Sequence, residues 1–527
     1  MNETPVAEEL TRALDRQLNE EEIRNWARKI CTKTPTDQET GEEENTKSKH
    51  IKSFRQVFAI LVLLEKTDSI GKFLGGGVCD ADLPLTKKIP REGGFELRRR
   101  KKENNPLECF RKWSLMSKYN FEEWQWAVKA PFFAKGKRNS AKHYRLQEFA
   151  VLPFIYDGRR EGRPDQMFDG GYGKVFKVDI HPAHHDFNGS DRENGYRKYF
   201  AIKRLDTPDR KRFDAEVDIL MKFSDDYHAH LISLLATYEQ SGYFHLIFHW
   251  ADADLLRYWM QIDPNPVVNW GTVQWVAKQC QGLTDGLCKI HRYESPMLPR
   301  KNSCSQAQGN LDPGYLPSDE TLKKRGVSIT EEKGKIYGRH GDLKPENVLW
   351  FRDGPDDRGI LKITDFGLGS FNSKKSRSME PLKNIARSPS YRAPEYDLED
   401  GKATRACDVW SLGCIFLEFV TWLLGGKQLL EEFGKARLPV DNFPVMLRSD
   451  KFFDIETDEN GQHKAVVKKS VGESIAKLHG HPRCSAFLHE LLDVIESDML
   501  AVDPEFREVG GRILSMDRLD RYQKANA

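Results

Sequence analysis

Paired cysteines, a surplus of one charge and an apolar run of membrane-spanning length are all missing from this 527-residue chain. Its nine cysteines are scattered from Cys31 to Cys484 with no C-x-x-C pair, which argues against a disulfide framework and a thiolate zinc site. Thiols kept in a reducing compartment are the expectation. Lys and Arg (82) nearly balance Asp and Glu (80), leaving a net charge of +2, so no nucleic-acid partner is expected. The longest unbroken apolar run, residues 57–64, falls far short of the ~20 residues that cross a bilayer. Residues 1–18 are polar and acidic, without the apolar heart of a secretion signal. A soluble intracellular protein, cytoplasmic and with no membrane span, is therefore expected.

What is present suffices for real cores: 39% of residues are apolar and 11% aromatic. The length exceeds the usual single-domain size and predicts two or three units. Residues 1–145 read as a small, mostly α-helical domain whose role the sequence does not disclose. Leu10, Leu14 and Leu18 recur every fourth position, and Asn19 with Glu22 forms a capping-box pattern before Ile23, Trp26 and Ala27. Residues 34–50 are polar and predict a linker, Gly75-Gly76-Gly77 a break, and residues 122–128 another helix. Trp113, Tyr119, Phe121, Trp124 and Trp126 are expected as core of this domain, and a protein partner for its helices is the functional alternative. Five consecutive basic residues, 98–102, read as solvated surface, with a nuclear import signal as the weaker reading.

From residue 151 the texture changes. Short β-branched and aromatic segments (174–179, 199–203, 244–249) precede helical patterns that dominate after Asp254, predicting an α+β unit with a β-rich lobe followed by a larger helical one.

A set of motifs runs through that unit in fixed order. Phe168-Asp169-Gly170-Gly171-Tyr172-Gly173-Lys174-Val175 is a glycine-rich turn between two strands, where backbone N–H groups can approach phosphate oxygens without an intervening Cβ. Ala201-Ile202-Lys203 puts a lysine on a strand. Thirteen positions on, Glu216 stands in a helical pattern that could hold the Lys203 ammonium toward phosphates. His340-Gly341-Asp342-Leu343-Lys344-Pro345-Glu346-Asn347 offers a base for a hydroxyl (Asp342), a cation for a moving phosphoryl group (Lys344) and an amide oxygen for a hard metal ion (Asn347). Eighteen residues after Asn347 comes Asp365-Phe366-Gly367, whose carboxylate suits Mg²⁺. Ala393-Pro394-Glu395 and Asp408-Val409-Trp410-Ser411-Leu412-Gly413 follow.

In this order the motifs resemble the signature set of the eukaryotic protein kinases, over residues 151–520. The resemblance implies a bilobal fold, with an N-lobe at 151–248, a C-lobe at 252–520 and an insertion at 292–336. It implies ATP and Mg²⁺ as cofactors and proteins as substrates. Lys203 and Glu216 match the phosphate-anchoring pair, Asp342 the catalytic base, Lys344 the γ-phosphate contact, and Asn347 and Asp365 the Mg²⁺ ligands. Gly170, Gly171, Tyr172 and Gly173 match the loop over the phosphates. Val175, Ala201 and Leu349 match the adenine sandwich, and Phe248 the guard of the back pocket. His249, Trp250 and Ala251 match the hinge whose backbone bonds adenine. Leu220, Leu234, His340 and Phe366 match an apolar column between the lobes, and Glu395 with Arg507 a buried ion pair under the substrate platform. Lys344 and Ser388 are similar to serine/threonine kinases, which implies transfer of the ATP γ-phosphoryl group to protein Ser or Thr. A pseudokinase scaffold is the alternative, disfavoured because all five polar site residues are present. A small-molecule kinase is disfavoured by Ala393-Pro394-Glu395 and Arg507.

Phe168 stands where the first glycine of the loop usually is, and residues 292–336 expand a short connection. Gly341 replaces the arginine that usually precedes the catalytic aspartate and clamps a phosphorylated segment residue. Activity independent of phosphate on Ser376 or Ser378 is therefore expected. Gly338-Arg339-His340-Gly341-Asp342, the insertion before it and the helical N-terminus together resemble an expanded group of filamentous-fungal kinases.

Overall fold

The computed structural model describes residues 3–14, 18–32, 34–36, 50–90, 94–100, 106–136, 141–161, 167–170, 173–187, 199–205, 210, 213–214, 217, 220–221, 228–291, 339–353, 356–365, 390–398, 404–438, 450–459 and 461–507.

The N-terminal part is built on helices α1 (Glu3–Leu14), α2 (Glu20–Cys31), α3 (Arg55–Leu63), α4 (Ile70–Gly76) and α5 (Leu115–Val128). The capping box forms: the Asn19 side chain accepts from the Glu22 N–H at 2.8 Å, and Glu22 accepts from the Asn19 N–H at 2.8 Å. Leu10, Leu14, Ala27, Phe58, Phe73 and Phe121 share one buried cluster. Helix α4 stops at the glycine run, with Gly77 in the left-handed region at φ 62°. Two short strand pairs accompany these helices. Strands β1 (Thr34–Thr36) and β2 (His50–Lys52) pair antiparallel, as do β3 (Thr86–Lys88) and β4 (Glu96–Arg98). The last helix also begins earlier than residue 122, at an N-cap Ser114 whose hydroxyl accepts from the Ser117 N–H. Of the aromatic group, Trp113 and Phe121 are buried while Tyr119 and Trp124 are exposed. Arg98 and Arg99 of the basic run are paired, to Glu96 and Asp82.

A seven-stranded sheet follows, in the order β5-β10-β11-β9-β8-β6 with β7 also pairing β8. Its strands are β5 (Lys142–Arg145), β6 (Phe154–Asp157), β7 (Met167–Gly170), β8 (Gly173–Ile180), β9 (Phe200–Leu205), β10 (Ala236–Gln240) and β11 (Tyr243–His249). This sheet starts before the expected boundary at 151. Strand β5 lies parallel to β10, and Phe133 is fully buried among Phe176, Ile202, Tyr238 and Ile247. Four residues are too few to show a period, and their partner lies far along the chain. Alternation then sorts the faces: Phe176, Ile202 and Ile247 point into that core, while Val175, Ala201, Lys203 and Phe248 share the opposite face through the pairs Val175↔Lys203 and Phe248↔Ala201.

The second lobe is mainly helical. A three-stranded sheet of β12 (Ala253–Asp254), β13 (Val348–Phe351) and β14 (Ile360–Ile363) lies against helix α6 (Trp270–His291), which in turn packs on α7 (Ala406–Ala436). Strands β15 (Phe453–Thr457) and β16 (His463–Val467) form a hairpin, followed by α8 (Lys469–His479) and α9 (Ala486–Val494). Helix α7 breaks at Gly426 (φ 64°). By length and apolar content alone α7 could cross a membrane, but 89% of its most apolar window is buried within the fold. Run length missed it because Glu418 interrupts the apolar stretch, and that carboxylate is matched by Arg437 at 2.7 Å.

Candidate active site

The glycine-rich segment folds as a hairpin: Gly170 pairs with Gly173 at the ends of β7 and β8. A Cβ at Gly173 would stand 2.2 Å from the Arg204 carbonyl oxygen, so only glycine fits against β9 there. Gly171 and Tyr172 lie outside the described residues, as do Glu216, Phe366, Gly367, Ser376, Ser378, Ser388 and the insertion 292–336.

Below the hairpin, Lys203 reaches across the lobes. Its Nζ donates to Asp365 Oδ1 at 2.9 Å, with the lysine side chain 9% exposed and the aspartate 42%. Burial pushes the Asp365 carboxyl up, but the Lys203 ammonium, helped by His340 and Lys344, outweighs it and holds the group below the ordinary carboxylate range. Asp365 has a positive φ of 59°, a conformation L-residues rarely adopt, immediately after β14. Strain of this kind persists only where its surroundings over-determine it.

Asp342 lies in the loop before β13, braced from within that loop. Its Oδ2 accepts from Lys344 Nζ and from Asn347 Nδ2, each at 3.2 Å. Asn347 Nδ2 also donates to the Asp342 carbonyl at 2.7 Å, and the Asp342 N–H donates to His340 Nδ1 at 3.2 Å. With its amide nitrogen so committed, Asn347 keeps its amide oxygen, and Asp365 keeps Oδ2. Among the described residues no group of three His, Cys, Asp or Glu could hold a metal by itself. Two hard oxygen donors from neighbouring loops instead fit Mg²⁺, which takes few protein ligands and completes its shell with phosphate and water.

The residue that fixes this loop went unassigned in the sequence reading. Asp408, near the start of α7, accepts the His340 N–H (Oδ2) and the Gly341 N–H (Oδ1), each at 2.8 Å. Its Oδ2 also meets His291 Nε2, at the end of α6, at 2.9 Å. Burial raises this carboxyl, yet the bonded His291, with His340 and Arg339, holds it below the usual range. His340 is fully buried, its Nε2 2.9 Å from the Thr364 carbonyl oxygen next to Asp365. Thus Asp408 holds one end of the Asp342 loop, and His340 ties that loop to the Asp365 loop. The aspartate was visible in a motif, but its role depends on backbone amides 68 positions away.

The remaining predicted groups fall into four sets. Val175, Ala201, Phe248 and Leu349 are half-buried. In the hinge, the Trp250 N–H donates to the Tyr199 carbonyl at 3.0 Å. His249 and Ala251 are half-buried beside it. Leu220 and Leu234 sit in the large buried cluster. Glu395 and Arg507 make the expected buried pair, bidentate at 2.7 and 3.0 Å.

Comparison with known proteins agrees with this geometry. Residues 335–507 match the protein kinase domain family. An 83-residue stretch is 43% identical to cyclin-dependent kinase 8 of Caenorhabditis elegans, covering 16% of this chain and 14% of that one. Another, of 127 residues, is 35% identical to cyclin-dependent kinase 11 of Dictyostelium discoideum, covering 23% and 32%. The MAPK/MAK/MRK overlapping kinase of Mus musculus is 30% identical over 170 residues, covering 32% and 35%. The matches therefore span only about a seventh to a third of these relatives.

Proposed function

Residues 335–507 belong to the eukaryotic protein kinase family, and from that premise we propose that the chain transfers the γ-phosphoryl group of ATP to serine or threonine of protein substrates. The observation that carries the proposal is a pair of hydrogen-bonded sets, Lys203 with Asp365 and Asp342 with Lys344 and Asn347, tied together where His340 Nε2 meets the Thr364 carbonyl beside Asp365.

Each group then has a task. The face bearing Val175, Ala201 and Phe248, with Leu349 from below, receives adenine by apolar contact, while Ala251 offers a hinge N–H. Lys203 offsets charge on the α- and β-phosphates, and Lys344 does so for the group in transit. Asp342 orients the acceptor hydroxyl and takes its proton; the Oδ2 contacts from Lys344 and Asn347 leave Oδ1 for that work. Asn347 and Asp365 would hold Mg²⁺, which supplies charge neutralisation at the phosphates. Most of the rate gain comes from positioning, which the Asp408 anchor serves.

The test is γ-labelled ATP with purified full-length protein, followed by phosphoamino-acid analysis of the labelled acceptor. Label on serine or threonine supports the reading. Label on tyrosine alone would contradict the specificity. Nucleotide binding without any transfer would favour the pseudokinase scaffold.

A further inference from the structure

Gly341 has φ 80°, and its open side faces a guanidinium: a Cβ there would stand 3.6 Å from an Arg339 terminal nitrogen. Any longer side chain at 341 would need the space that Arg339 fills. From that place Arg339 donates to the Tyr396 hydroxyl. Tyr396 belongs to the one-turn helix Pro394–Tyr396, beside Glu395 of the buried pair with Arg507. A second guanidinium meets the same ring: Arg392 lies 4.9 Å from its centroid and donates to the Tyr396 carbonyl at 2.8 Å. Arg392 is in turn paired with Asp397 at 3.3 Å.

We propose that Arg339 is a positioning residue that clamps the Asp342 loop to the platform segment 390–398 through Tyr396, fixing the acceptor hydroxyl relative to the base. The inference rests on the kinase reading and deepens it. Arg339 is three residues from Asp342 and Tyr396 is next to Glu395, so the bond joins the proton acceptor's loop to the surface that would present the substrate. It uses a neutral hydroxyl already in the chain and so needs no phosphate on the activation segment. The glycine at 341 and the arginine at 339 are two halves of one arrangement.

The test compares wild type with Tyr396→Phe, Arg339→Lys and Arg339→Ala in the full-length protein. Transfer is read on a degenerate Ser/Thr peptide library, together with ATP affinity and hydrogen exchange of backbone amides. Tyr396→Phe should lower kcat/KM for the acceptor by about tenfold, the worth of one hydrogen bond to a charged donor. ATP affinity should hold within about twofold, since the clamp touches no nucleotide contact. Amides of 341–343 and 395–397 should exchange faster at an unchanged melting temperature. Arg339→Lys should recover part of the loss that Arg339→Ala suffers. Wild-type transfer and exchange in Tyr396→Phe would overturn the clamp. Absent transfer by wild type would instead overturn the kinase reading, while exchange would still report on the clamp.

Discussion

Lys203 and Asp365 stand 162 positions apart and meet at 2.9 Å, a buried ammonium from a strand of the first lobe against a carboxylate of the second. On the proposed function the pair keeps two phosphate-directed groups in register. Lys203→Met removes the nearest cation from Asp365, so phosphate placement suffers while the sheet, paired through its backbone, survives. Turnover should fall by about 10²-fold or more, the usual loss of one preorganised electrostatic contact. Circular dichroism and thermal melting should remain near wild type. Steady-state kinetics with ATP varied checks the prediction.

Glu395 and Arg507 are 5% and 0% exposed along their side chains, and Arg507 also donates to the Val502 carbonyl at 2.7 Å and lies 5.0 Å from the Trp410 ring centroid. Removing one member strands a buried charge. Arg507→Ala should cost about 3–5 kcal/mol, read as a lower urea midpoint. The double change Glu395→Gln with Arg507→Met should cost less, because no lone charge remains. An equal loss in both would show that packing matters more than charge.

His245 gives the first lobe a pH dependence. Its ring stacks on Tyr238 at 4.3 Å, and burial, reinforced by Arg159 and Arg204, lowers its pKa to about 3 from an ordinary 6.5. A depressed folded-state value means the unfolded chain binds the proton first. The stability this histidine contributes is whole above pH 6.5 and drains away as pH falls toward 3. Melting at pH 7.0, 5.5 and 4.5 (on the order of one unit apart) should show a smaller decline in His245→Phe, which retains the ring stack. Parallel declines would contradict it.

Strand β5 and Phe133 predict where a shortened chain stops folding. Starting at residue 130 keeps both, whereas starting at 151 strips the β10 edge and empties the Phe133 site, at about 3–5 kcal/mol for the ring alone. The shorter form should melt lower and aggregate, by light scattering and thermal unfolding. Identical melting of the two forms would show that residues 130–150 add nothing to the sheet.

The site was legible because its chemistry is local. Asp342, Lys344 and Asn347 lie within six residues, so the loop that braces them could be read in one line. Lys203 and Asp365 were legible as types in order, although their contact is long-range. Other features could not be read this way. The Lys142–Arg145 strand is too short for a period, and the Asp408 anchor acts on backbone amides that carry no side-chain signature. The bond from the Trp250 N–H to the Tyr199 carbonyl, far apart in the chain, likewise carries no local signature. The Arg339 contact with Tyr396 spans 57 positions and depends on the space Gly341 leaves, which no local pattern marks.

The most direct test of the account is phosphoryl transfer from γ-labelled ATP by full-length protein, with Asp342→Asn and Asp365→Asn purified in parallel. Both substitutions preserve shape and remove only charge. The account predicts clear labelling by wild type and a loss of about 10²-fold or more in each variant at unchanged melting temperature. Equal labelling by all three preparations would contradict it.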